Sequence, residues 1–155
     1  MDYIKAKYAK YEETPMVNEV IQAVADYNRA LKSGKLSDVL NCFADDAVLI
    51  PEQQQPVVGK VAIQDVYASL FKLIRFNDDN IIHIVDAQAN SDIGFVRSHE
   101  TRGSVFEISS GNIRHPHFRE LWIFKKDDDS KWKIAVYAYG IPSQMSSDPA
   151  SAVVW

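Results

Sequence analysis

Apolar positions keep a helical period over the first half of the chain and an alternating one over the second. After Thr14-Pro15, the residues Val17, Val20, Ile21, Val24, Tyr27 and Leu31 recur three and four apart and so share one helical face. Thr14 is the predicted N-cap, Pro15 occupies the first helical position, where a missing N–H does no harm, and Gly34 supplies the stop. A second, shorter helix is predicted from the cap Ser37, with Val39, Leu40 and Phe43 on one side. Asp45-Asp46 then leads into an apolar strand, Ala47-Val48-Leu49-Ile50, which Pro51 ends. Beyond the polar loop 52–56, Gly59 opens a third helix that carries Ile63, Val66, Tyr67, Leu70 and Ile74 on one face.

From residue 81 the period becomes two. Residues 81–88, 93–107, 113–126 and 131–139 read as strands, parted by Asn90-Ser91-Asp92, by Ser109-Ser110-Gly111 and by the acidic turn 127–130. Helices first and turn-linked strands afterwards predict an α+β fold, in which three N-terminal helices cover one face of a curved antiparallel sheet. Simple alternation puts Trp132, Ile134, Val136 and Ala138 on one face, with Ala135, Tyr137 and Tyr139 on the other. Likewise Phe118, Trp122 and Phe124 share one phase, and Leu121 and Ile123 the other. Both faces are therefore apolar while the helices cover only one. A second copy is expected on the outer face, as a two-fold homodimer, with Ile134 in that interface. The chain divides into an arm at 1–13 without period, one domain at 14–140, and a tail at 141–155 ending in Val153-Val154-Trp155.

Composition narrows the function classes. The net charge of −4, without a clustered Lys/Arg face, argues against a nucleic-acid partner. The longest apolar stretch, near 134–141, is too short to cross a bilayer, so no membrane partner is expected. A single cysteine, Cys42, forms no internal disulfide and points to a reducing, cytoplasmic location. His115-Pro116-His117 is the one metal-like pattern, but no carboxylate or cysteine accompanies it at ligand spacing, and no metal is expected there. With no Gly-rich phosphate loop, Ser-His-Asp pattern or paired-cysteine motif, no cofactor is implied.

Three segments together resemble the NTF2-like superfamily, and within it the SnoaL-like and SgcJ/EcaC-type proteins. They are Tyr27-Asn28-Arg29-Ala30-Leu31 with Gly34 and the run Phe43 to Val48; Gly59-Lys60 with Ile63 and Tyr67; and Phe118 to Phe124 followed by Trp132-Lys133-Ile134-Ala135. The resemblance, over roughly residues 17–140, implies a cone: a cystatin-like roll whose concave face lines a pocket, usually in a homodimer. It leaves activity open, because the superfamily holds ketosteroid isomerases, polyketide cyclases, dehydratases, epoxide hydrolases and members that only bind.

Strand alternation makes Glu120 a carboxylate among aromatics, flanked in phase by Phe118 and Trp122, an environment that raises a carboxyl pKa and suits it to acid/base work. Its position is similar to the acidic residue of the ketosteroid isomerase oxyanion site, and Tyr27 is similar to the tyrosine those enzymes use as an oxyanion donor. The family's general-base aspartate falls at or beside Pro51, which accepts no proton, with Glu52 one position away; steroid isomerisation is therefore not carried over. Phe95, Arg97, His99 and Thr101 share a phase that the same alignment turns into the cone, where Arg97 would hold an oxygen and His99 shuttle a proton. Pairing of Arg97 with Glu120 is the alternative. Tyr137 and Tyr139 would add hydroxyls to the wall. The leading expectation is a protein that binds an apolar, oxygenated small molecule of polyketide or terpenoid kind and isomerises or cyclises it through Glu120, His99 and Tyr27, with Arg97, Phe118, Trp122, Tyr137 and Tyr139 contacting it. The alternative is a non-catalytic dimeric binding or assembly module, favoured by the proline at the base position.

Overall fold

The computed structural model describes residues 3–140, apart from the side chain of Glu100. The tail at 141–155, including Val153-Val154-Trp155, lies outside the described residues. Helix α1 (Pro15–Ser33) starts where the sequence says: the Thr14 hydroxyl accepts from the Val17 N–H at 3.2 Å, and Gly34 closes the helix in the left-handed region at φ 65°. Its apolar stripe is buried from Val17 to Leu31. Helix α2 (Leu36–Asn41) begins one residue before Ser37, with Lys35 at the cap position, and α3 (Lys60–Leu73) follows Gly59.

Ten strands accompany them among the described residues. The main sheet runs in the order β1 (Tyr3–Lys5), β5 (Ile81–Ala89), β6 (Ile93–Arg102), β9 (His117–Lys126), β10 (Trp132–Gly140), β2 (Phe43–Ile50), β3 (Val57–Val58). A small separate sheet is formed by β4 (Ile74–Phe76), β7 (Val105–Glu107) and β8 (Ile113–Arg114). The central strands β5, β6, β9 and β10 pair antiparallel, and the helices pack against one face. The predicted α+β architecture of three helices on a curved sheet is what the chain adopts.

Phe43 opens β2 and Ile74 opens β4, where the sequence pattern put them on the second and third helices, and three further details differ from expectation. Residues 3–11 are not a loose arm: Tyr3–Lys5 pairs parallel with Ile82–Ile84, the Lys10 N–H donates to the Val85 carbonyl, and Tyr11 is buried in the core. Second, the pairing of β10 shifts by one residue between Ile134 and Val136. A bulge of this kind reverses which side chains face inward beyond it. Ile134 thus points into the core, where it is fully buried, and is not on the outer face; Tyr137 and Tyr139 share its side, whereas Val136 and Ala138 face out. Third, a shift in β6 between Ser98 and Thr101 has the same effect there.

The register fixes the inner wall row by row. Opposite Phe124 lie Gly94 and Ile134; opposite Trp122, Val96 and Tyr137; opposite Glu120, Ser98 and Tyr139; opposite Phe118, Thr101. Gly94 stands where α1 crosses most closely: a Cβ there would lie 2.9 Å from Val20 Cγ1. On the outer face the rows are Phe95, Ile123 and Val136, then Arg97, Leu121 and Ala138.

Candidate functional site

Between α1, α3 and the strands β9 and β10 lies a cavity of about 280 Å³. Its walls are mostly apolar, with Leu31 from α1, Val66 and Leu70 from α3, and Phe76, Ile82 and Val105 from the strands. A hollow of this kind with a few convergent polar groups is the usual setting of a small-molecule site.

The polar groups are collected by the fold from distant parts of the chain. Glu120 is only 6% exposed, and among the described residues its carboxyl contacts are all hydroxyls. Ser98 donates to Oε1 at 3.2 Å, Thr101 donates to the same oxygen, and Tyr137 donates to Oε2. Burial pushes the Glu120 carboxyl above the ordinary carboxylate range, and the three donors, which favour the charged form, pull it part of the way back. No described ion pair reaches it.

Beside it lies a tyrosine cluster. The Tyr27 and Tyr67 hydroxyls are hydrogen-bonded at 2.5 Å, and both rings line the cavity. Tyr137 stacks on Trp122 with ring centroids 5.2 Å apart and planes 5° from parallel, while Tyr27 meets Tyr137 edge-on at 5.2 Å. Burial, followed by the neighbouring Tyr67 and Tyr137, holds the Tyr27 hydroxyl well above the usual tyrosine range; burial, then Glu120, does the same for Tyr137. Tyr67 is raised chiefly by burial too. These phenols are neutral donors at any physiological pH. Since one hydroxyl of the Tyr27–Tyr67 pair donates to the other, one hydrogen of the pair is left to point elsewhere.

The sequence-predicted residues divide by wall. Glu120, Tyr27, Phe118, Trp122, Tyr137 and Tyr139 all line the cavity. Arg97 and His99 do not. Both are exposed, in a shallow groove on the outer face with Arg119, because β6 pairs with β9 so that Val96 and Ser98, not Arg97, take the inward positions beside Trp122 and Glu120. The pairing of Arg97 with Glu120 is excluded by the same geometry. Pro51 and Glu52 also belong to that outer groove rather than to the cavity. Ser98, Tyr67 and Asn28 carry no site signal in the sequence, Tyr67 sitting on an apolar helix face, and Thr101, although in the phase expected to face the cone, is given no role there. His115 and His117 are exposed, and the described residues gather no group of three metal-ligating side chains.

A roll with an apolar hollow whose base carries tyrosines and a buried acid defines the class of NTF2-like, ketosteroid-isomerase-like proteins. The family model of the SnoaL-like domain matches residues 24–134, and the chain belongs to that family. Among solved structures it is similar to a ketosteroid isomerase-like protein from Erwinia carotovora atroseptica, at 26% identity over 83% of this chain and 97% of that one, with a TM-score of 0.73. Two more distant structures share the fold. One is a putative calcium/calmodulin dependent protein kinase II association domain from Xanthomonas campestris (16% identity, 94% and 99% covered, TM-score 0.72), the other an NTF2-like superfamily protein from Salmonella enterica (13%, 85% and 94%, 0.65). No curated protein matches the chain by sequence. No helix among the described residues is long and apolar enough to cross a membrane.

Proposed function

We propose that the cavity binds an apolar, oxygen-bearing small molecule of polyketide or terpenoid kind and that Glu120 moves a proton on it, in an isomerisation or cyclisation that needs no cofactor. One observation carries the reading: a carboxyl group raised by burial, whose described hydrogen bonds all come from hydroxyls, borders an apolar hollow that also holds a tyrosine pair with one further hydrogen to give. In its ionised form Glu120 takes a proton from the carbon next to a carbonyl. The electron pair left behind moves onto the carbonyl oxygen, where the free hydrogen of the Tyr27–Tyr67 pair stabilises it. Return of the proton to a different carbon completes an isomerisation; attack of the enolate carbon on a second carbonyl closes a ring, and the alkoxide so formed takes back the proton that Glu120 holds. His99 and Arg97 have no part in this scheme, since they stand on the other side of the sheet. The ketosteroid isomerase-like relative supports the reaction class, not the substrate.

The test is solvent-deuterium incorporation into 2-tetralone, followed by proton NMR. The native protein accelerates exchange next to the carbonyl, and Glu120→Gln lowers that acceleration by about 100-fold or more, the usual contribution of a positioned acid or base, with little change in binding. Equal exchange by both proteins would remove Glu120 from the chemistry.

A second reading, a dimeric module in which the outer face does the work, is favoured by Phe95, Leu121, Ile123, Val136 and Ala138. These stand side by side on that face, and α1 and α3 cover none of them. We infer that a second copy covers this face. The two readings are compatible, and the deuterium experiment separates a working pocket from a vestigial one.

A further inference from the structure

Helix α1 turns Val24, Tyr27, Asn28 and Leu31 toward the interior, and the last three line the cavity. An amide in this stripe is anomalous. Asn28 is 3% exposed, and its Nδ2 finds no acceptor among the described residues. The Trp122 indole Nε1, from the facing sheet, is likewise buried without an acceptor, and Trp122 lines the same hollow. A buried donor left unmet is a folding liability, whereas a leucine at position 28 would continue the apolar stripe without one.

Glu120, the strongest acceptor, is already taken by Ser98, Thr101 and Tyr137. Among the described residues, the buried side-chain atoms left without a partner are both donors, Asn28 Nδ2 and the Trp122 N–H, and the Tyr27–Tyr67 pair has one further hydrogen to give.

We propose that Asn28 is a specificity-determining residue of the cavity: its side-chain amide donates to an acceptor oxygen of the ligand, a carbonyl or ether, so that the site selects oxygenated molecules over hydrocarbons of the same shape. This deepens the reading under Proposed function and rests on it. It concerns recognition alone and requires no proton transfer. Asn28 is a positioning group on the wall, one turn from Leu31, and holds a ligand oxygen from the helix side while Glu120 acts from the sheet side.

The test compares 2-tetralone with tetralin, two bicyclic molecules of nearly equal shape of which only the first bears an acceptor. Binding is followed by NMR through the Trp122 indole N–H and the Asn28 side-chain amide. The native protein is expected to bind 2-tetralone about fivefold or more tighter than tetralin, the range one net hydrogen bond supplies. Asn28→Leu is expected to reduce this preference by about threefold or more while tetralin binds as before. A smaller reduction, or an equal affinity of the native protein for both molecules, overturns the inference. Should Asn28→Leu not fold, the native spectrum decides: the Asn28 amide resonances shift with 2-tetralone and not with tetralin, and any other pattern overturns it. If neither molecule binds, the pocket-binding reading itself falls, and this inference with it. If both bind equally, the pocket reading stands and only the role of Asn28 is lost.

Discussion

Replacing Tyr137 by phenylalanine deletes one oxygen and leaves the ring stacked on Trp122. The oxygen matters because it donates to Glu120 Oε2, leaving Ser98 and Thr101 on the other carboxyl oxygen. Two regimes follow from the charge on Glu120. With the carboxyl protonated, the lost bond joins neutral groups and costs about 0.5–1.5 kcal/mol; with the carboxyl ionised, the bond is charge-assisted and its loss costs about 1.5–3 kcal/mol. The native pKa of Glu120 lies above its ordinary value because of burial, so this group favours folding most below the ordinary carboxylate value, and that contribution is lost as pH rises through the raised one. Removing a donor that favours the charged form raises the folded value further. The penalty of Tyr137→Phe must therefore grow with pH, from about 1 kcal/mol at the acid end, where Glu120 is protonated, to about 2–3 kcal/mol at the alkaline end, where it is ionised, in urea titrations followed by tryptophan fluorescence. Tyr67→Phe is the control. It removes the 2.5 Å bond between two neutral phenols and should cost about 1 kcal/mol at both ends of the pH range. A Tyr137→Phe penalty that is flat or shrinks with pH would refute the coupling to a titrating Glu120.

Other perturbations test the frame and the outer face. Gly94→Ala places a methyl group 2.9 Å from Val20 Cγ1 and 3.0 Å from the Gln88 carbonyl oxygen, so it should destabilise the fold by about 1–3 kcal/mol in urea; an unchanged midpoint would mean α1 does not sit that close. Leu121→Asp, on the outer face, should convert a dimer to a monomer in light scattering with little change in melting temperature. Ile134→Asp, by contrast, buries a charge in the core and should abolish folding, and a soluble, folded monomer from it would contradict the bulge in β10. Thr14→Ala should cost about 0.5–2 kcal/mol by removing the cap on the Val17 N–H, read from the same urea midpoints.

How much of this was legible in the chain depends on where parity is kept. The limits of α1 could be read because Thr14, Pro15 and Gly34 each act through local chemistry. Glu120 could be placed inward because β9 alternates without interruption from Phe118 to Phe124. Arg97 and His99 were misplaced because the inward residues of β6, Gly94, Val96 and Ser98, are small and give a weaker apolar signal than the outward Phe95. Ile134 was misplaced because the bulge in β10 has no side-chain signature, yet it reverses every residue beyond it. The strand at Tyr3–Lys5 is too short to show a period, and its pairing with β5 is a property of the sheet edge. Tyr67 and Asn28 were hidden for another reason. Their polar ends meet partners, or lack them, only once α1, α3 and the sheet are assembled.

The claim on which the pocket chemistry turns is that Glu120 is a buried acid held by hydroxyls, with no described ion pair, at the edge of a hollow. Its titration can be followed directly, by carbon NMR of the side-chain carboxyl in glutamate-labelled protein, with Glu120→Gln to assign the signal. The account predicts a midpoint clearly above the ordinary value of 4.5, moving higher still in Tyr137→Phe. A midpoint at or below that value would show a carboxylate in water or paired with a cation, and would contradict it.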